Sequence, residues 1–213
     1  MKRICSHRGR MDMRNKLISI FAAIVFAMLC HENCAYAFEL VQLNDSMGVD
    51  ELMASANNEL VKAYRKVQRK PVLQIVRYEL ASSNEYSDEY VFYTNNRYVR
   101  MFAEVNEHGC ISMLSVACVG ENTKKLLDGK GILLDTGLLN ICALISLGAP
   151  SKASGDTSLK ALELMLKSKN MQSLAITDFW CAEMNRRYMV GAHVKKYPDS
   201  WDRFEFVITA GER

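Results

Sequence analysis

Several chemical signatures are scarce or missing in this sequence. Of four histidines in 213 residues, only His108 and His193 lie beyond residue 37, and neither has the Cys or His neighbours at ligand spacing that a dedicated metal site requires. No metal and no cofactor is therefore expected. Gly129-Lys130-Gly131 is too short for a phosphate loop and lacks its closing Lys-Ser/Thr. The longest apolar run, Leu17 to Cys30 with Ser19 inside it, is shorter than the roughly 20 residues that span a bilayer. Proline occurs three times, and two of those residues, Pro71 and Pro150, stand where helical patterns stop.

Clustered positive charge is also missing once the start of the chain is set apart. The first 37 residues hold six of the 27 Lys and Arg and two of the 24 Asp and Glu, so residues 38–213 carry a net charge of about −1. Nucleic-acid binding, which needs concentrated cations against phosphates, is excluded as an expectation. The basic end of the first helix (Lys62, Arg65, Lys66, Arg69, Lys70) reads as a solvated face favoured by the helix dipole.

What the beginning does contain is an address. A basic stretch from Lys2 to Lys16, the apolar run, and the small-x-small pattern Ala35-Tyr36-Ala37 have the form of a secretory signal peptide. The expectation is a signal at residues 1–37 and a single domain at 38–213, periplasmic or secreted, with no stable membrane span after cleavage. Four cysteines fall in that domain: Cys110, Cys118, Cys142 and Cys181. Cys110 and Cys118 on one straight strand would sit about 26 Å apart, too far to pair, which leaves one bridge elsewhere or buried free thiols.

The domain reads as α+β. Phe38 to Leu43 alternates as a short strand, and Val49 to Lys70 is an amphipathic helix with Asp50 and Glu51 in its first turn. Val72 to Ala81 is the next strand. A meander follows, with a two-residue turn at Asn95-Asn96 and a four-residue turn at Asn106-Glu107-His108-Gly109. That register sets Phe92 opposite Val99, Met101 opposite Leu114 and Val105 opposite Cys110. A short helical turn is expected near Asn122 to Leu127, a break at Gly129-Lys130-Gly131, and an almost wholly apolar helix from Leu138 to Leu147. Ser151 to Thr157 reads as a small-residue joint before another helix. Strands return over Gln172 to Met184, Arg187 to Lys195 and Arg203 to Ala210. Asn96-Arg97 and Ala103-Glu104-Val105 match Asn185-Arg186 and Ala192-His193-Val194 at an offset of 89, a hint of weak internal duplication. The fold class is antiparallel β-meanders in one sheet packed against several α-helices.

Two groups of residues carry functional interest. The first meander is largely apolar on both faces, and its second face holds Val91, Tyr93, Tyr98, Phe102, Ile111, Met113 and Ala117, interrupted by Glu89, Arg100, Glu104 and Ser115. Either helices cover that face or it is a surface; Tyr93, Tyr98, Arg100 and Phe102 are the binding candidates, since aromatics and Arg anchor interfaces. In the second meander, a two-residue turn at Asn185-Arg186 would set Asp178 opposite His193, with Glu205 on the other side. Two carboxylates flanking an imidazole could serve general acid–base catalysis. The functional expectation is a binding or interaction domain for an unknown protein or small ligand in the cell envelope. The alternative is a small envelope hydrolase using Asp178, His193 and Glu205.

Overall fold

The computed structural model describes residues 40–120, 130–168, 174–196 and 202–211. The proposed signal segment, the turn near Asn122 to Leu127 and the loop at Tyr197 to Ser200 lie outside the described residues. Eight strands form one sheet: β1 (Leu40–Val41), β2 (Ile75–Ser83), β3 (Ser87–Thr94), β4 (Val99–Asn106), β5 (Ile111–Gly120), β6 (Ala175–Cys181), β7 (Arg186–Lys196) and β8 (Asp202–Gly211). The helices are α1 (Val49–Lys66), α2 (Lys130–Ser146) and α3 (Ser151–Lys167). The α+β class with an antiparallel sheet against several helices is what forms. No helix among the described residues is long and apolar enough to cross a membrane.

Strand order is β2-β3-β4-β5-β8-β7-β6, with β1 beside β8, and every pairing is antiparallel. Two meanders thus meet at the centre, where Val116 pairs with Phe206. The three strands β3-β4-β5 and β6-β7-β8 succeed one another in the same way, and the matched residues at offset 89 fall at equivalent places in each, so the order is roughly symmetric.

One face of the sheet carries the core. Phe92, Met101, Val116, Phe206 and Ala192 lie in one row across it, and Val99, Cys118, Phe204 and Val194 in the next. These side chains form a single buried cluster with Leu52, Ala56, Leu60 and Tyr64 of α1, Leu139, Cys142 and Ala143 of α2, and Ala161 and Met165 of α3. Burying a side chain of that size contributes about 1.5–3 kcal/mol, so this face alone fixes where the helices go. Burial pushes the thiols of Cys118 and Cys142 up to about 12. All four described cysteines are free thiols.

The register departs from the expected one in both meanders. Asn95 and Asn96 do not take the positive φ that a two-residue hairpin turn needs. Asn95 instead bonds to the chain entering β2, through Gln74 N at 3.0 Å and Val72 O at 2.9 Å, and the Asn96 amide reaches Asp135. The turn is four residues long, and Phe92 pairs with Met101 rather than Val99. At the next turn Gly109 has φ +77° and a bulge falls between Glu104 and Val105, so Val105 pairs with Ile111, Met101 with Val116, and Ile111 joins the core instead of the opposite face.

Two stretches expected to interrupt helices lie inside them. Lys130 and Gly131 open α2, where the Gly131 carbonyl accepts from Arg69 Nη1 at 3.1 Å and a Cβ would come within 2.9 Å of Arg69 Nη2. Ser151 to Thr157 is not a joint but the first half of α3. Ser154 and Ser158 return their hydroxyl protons to the Pro150 and Ser154 carbonyls, at 2.9 and 2.7 Å, and Asn140 of α2 donates to Ser158 Oγ at 2.9 Å. Small polar residues here bring two helices close rather than loosening the chain.

Two buried polar nodes tie the elements together. Asp135 of α2 accepts from the Tyr64 hydroxyl of α1, from Asn96 Nδ2 at 2.9 Å, and pairs with Arg69 Nη1 at 2.8 Å. Burial, then the bond to Asp135, raises the Tyr64 pKa well above its usual value. Arg186, at the start of β7, pairs with Asp45 and donates to Leu43 O at 3.3 Å.

Asp135→Ala is expected to lower stability by about 3 kcal/mol, because Arg69 and the Tyr64 hydroxyl lose their acceptor in a largely buried place; urea unfolding against wild type measures it. The Arg186 guanidinium holds the Asp45 carboxyl below the usual range. The stability from this pair is therefore complete above the ordinary Asp pKa of about 4 and disappears as pH falls through the lowered folded value. With the Asp45 side chain 67% exposed, the effect is below about 1 kcal/mol. Thermal melts from pH 2 to 7 should show Asp45→Asn separated from wild type near neutrality and converging with it at the acid end.

Candidate interaction face of the sheet

All three described helices share the core face, so α2 does not cover the side that bears Tyr93 and Phe102. That side is built by strand alternation. Residues at odd positions of β3 and β7 and at even positions of β4 point away from the core. One row across it reads Arg77, Tyr93, Arg100, Ala117, Glu205, His193, taken from β2, β3, β4, β5, β8 and β7 in turn. The neighbouring row reads Glu79, Val91, Phe102, Ser115, Val207, Gly191, Ile176. The binding candidates of the first meander and the acid–base candidates of the second therefore share one face of the sheet, with the buried Ala117, Ser115 and Glu205 between them.

Guanidinium groups lie against its aromatic rings. Arg77 Cζ is 4.0 Å and Arg100 Cζ 4.9 Å from the Tyr93 centroid, Arg97 Cζ is 4.7 Å from that of Tyr98, and Arg203 Cζ 3.9 Å from that of Phe102. Such contacts hold the rings and the charges in fixed places.

A charged cluster lies toward β8. Glu205 is 6% exposed; its Oε1 is 3.0 Å from His193 Nε2, and its Oε2 accepts from Ser115 Oγ at 3.1 Å. Arg203 Nε lies 2.7 Å from Oε2 without pointing its N–H along a hydrogen bond, and Arg203 Nη2 donates to Ser115 Oγ at 3.1 Å. His193 Nδ1 is buried with no hydrogen-bond partner.

The expected carboxylate–imidazole–carboxylate row is half right. Glu205 faces His193 as the register predicts, but Asp178 does not. The turn before β7 is the four residues Ala182 to Asn185, with Asn185 at φ +51°, so Asp178 pairs with Met189, four residues or about 13 Å along the strand from His193. Asp178 faces Arg187 instead, 3.4 Å from its Nε. Ser115 bonds to Glu205 rather than to His193. Cys181 is buried among core-face residues, with its thiol pKa raised chiefly by burial, away from His193. Among the described residues no group of three His, Cys, Asp or Glu could hold a metal ion.

A cavity of about 620 Å³ lies at the first turn of α1 beside the β2–β3 and β4–β5 turns, lined by Asp50, Glu51, Glu85, Asp88 and Glu107 among others. None of Asp178, His193 and Glu205 lines it. Sequence reasoning missed Ser115 and Arg203, which complete the Glu205 cluster through the β5–β8 pairing. The spacing Arg203-x-Glu205 was the available signal, since it puts both side chains on one face. The chain matches no protein-family model, no curated protein and no solved structure.

Glu205→Ala is expected to cost about 3 kcal/mol, because it leaves the largely buried Arg203 without its carboxylate. His193→Ala is expected to cost about 1 kcal/mol or less, since Glu205 keeps Arg203 and Ser115. Paired chemical denaturation of the two variants checks that order, and equal losses would contradict it.

Proposed function

We propose that the protein is an exported interaction domain that engages a protein partner in the cell envelope through the sheet face opposite its helices. One observation carries this reading. Tyr93, Arg100, Phe102, Arg203 and His193, drawn from both meanders, share one face on which no described helix lies. Aromatic rings ordered by guanidinium groups bury much area at little entropic cost, which suits a protein interface. The broad, row-like layout favours a macromolecular partner over a small ligand, which a concave cavity would hold. Export is argued from the basic and apolar start of the chain and the Ala35-Tyr36-Ala37 pattern. The hydrolase alternative keeps the His193–Glu205 pair at 3.0 Å but not Asp178 beside it.

A photo-crosslinking amino acid placed at position 102 in living cells tests both parts. Expected are a protein adduct in the envelope or secreted fraction and a purified chain beginning near Phe38. The same probe at the exposed Leu159 of α3 should give none. Adducts equal at both positions, none at 102, or a chain that keeps its first 37 residues in the cytoplasm would overturn the reading.

A further inference from the structure

The outward side chains of β4 run Arg100, Phe102, Glu104, all partly exposed, with the inward ones between them buried. Arg100 rests against Tyr93, and neither Arg100 nor Glu104 has an ionic partner among the described residues. They do not pair with each other. Four residues of extended strand separate them by about 13 Å, with Phe102 between. Of the neighbouring charges, Arg77 pairs with Glu79 and Arg203 with Glu205, while Glu89, directly opposite Glu104 on β3, accepts from Ser82 Oγ at 3.2 Å. Two opposite charges at equal distances on either side of an aromatic ring are thus left unpaired on a half-buried strand.

Laid face to face about a two-fold axis that runs across the strands through Phe102, a second copy of this chain reverses the direction of its β4. Arg100 of each copy then stands over Glu104 of the other, and the two Phe102 rings meet at the centre beside Val91 and Met113. Stacked sheets lie about 10 Å apart, a gap that an Arg and a Glu reaching toward each other close. A two-fold contact places each pair twice, which a foreign partner has no reason to do.

We infer that the face on which no described helix lies binds a second copy of the chain, sheet on sheet, with Arg100 of one protomer paired to Glu104 of its partner across a Phe102 contact. This rests on the proposal that the face is a protein interface and names its occupant.

Sedimentation equilibrium of the purified protein, wild type against Arg100→Glu, Glu104→Arg and the double exchange, tests it. Expected is a wild-type dimer. Each single reversal sets like charges together twice and weakens association at least about tenfold, while the double exchange restores it. Unchanged far-ultraviolet circular dichroism of the single variants separates loss of association from loss of fold. A dimer indifferent to both reversals, or one that the double exchange fails to restore, overturns the inference. So does a monomer at every concentration. In that monomer, solvent labelling of Tyr93 and Tyr98 separates the two claims: reactive rings leave the face open to a foreign partner, and protected rings remove the interface altogether.

Discussion

The pairing of β5 with β8 is the constraint from which the rest of the structure follows. Each half of the chain is a meander with one strongly apolar face and, alone, a bare edge strand whose N–H and C=O groups would need partners. Joining Leu114 to Gly120 against Ile208 to Asp202 removes both inner edges at once. It also aligns the two apolar faces on the same side, where Phe92, Met101, Val116 and Phe206 form one row that α1, α2 and α3 cover together. The opposite side then becomes one surface by necessity. Residues with nothing in common in sequence, such as Arg100 and His193, share a row because β5 and β8 stand between them.

Helix placement and strand register are linked through Asp135. Its carboxylate holds Tyr64 of α1, Arg69 beyond the end of α1, and Asn96 in the β3–β4 turn. With the Asn96 side chain committed to α2 and that of Asn95 to the strand entering β2, the turn cannot tighten to two residues. The consequence extends down β4. Its inward residues Val99, Met101, Ala103 and Val105 face the helices, which leaves Arg100, Phe102 and Glu104 pointing outward.

Alternation along each strand was legible in the sequence, and so was the class of fold. Register was not. Each hairpin slips by a small number of residues, for reasons that differ from turn to turn. Asn95 and Asn96 bond to distant elements, whereas Asn185 does adopt a positive φ but as the last residue of four. A slip of two residues preserves the face on which a side chain lies and changes only its neighbours. Tyr93, Arg100, Phe102, His193 and Glu205 are therefore all on the expected kind of face, while Asp178 is displaced from His193. Ile111 changed faces because a bulge adds one residue, an odd step. The serines of Ser151 to Thr157 misled for another reason. Their composition is that of a loop, but hydroxyls bonded to carbonyls four residues back are satisfied within a helix, and only the neighbouring α2 makes that helix worth forming.

Spacing along the strand decides whether opposite charges on this face are used inside the chain or left for the outside. Arg203 and Glu205 are two residues apart on β8, near enough for their groups to meet, and they do so around Ser115 at the cost of burying both. Arg77 and Glu79 on β2 repeat the pattern. On β4 the interval is four, and an aromatic ring fills the position between. Their Cα positions are about 13 Å apart, and the ring lies between their side chains. A half-buried charge without an ionic partner gives up part of its hydration, which Arg100 recovers in part against the Tyr93 ring and Glu104 does not. Internal pairing on β2 and β8 satisfies those strands within one chain, whereas β4 is satisfied only by a surface that presents the reverse order of charge. A strand identical to β4, running the other way, presents that order.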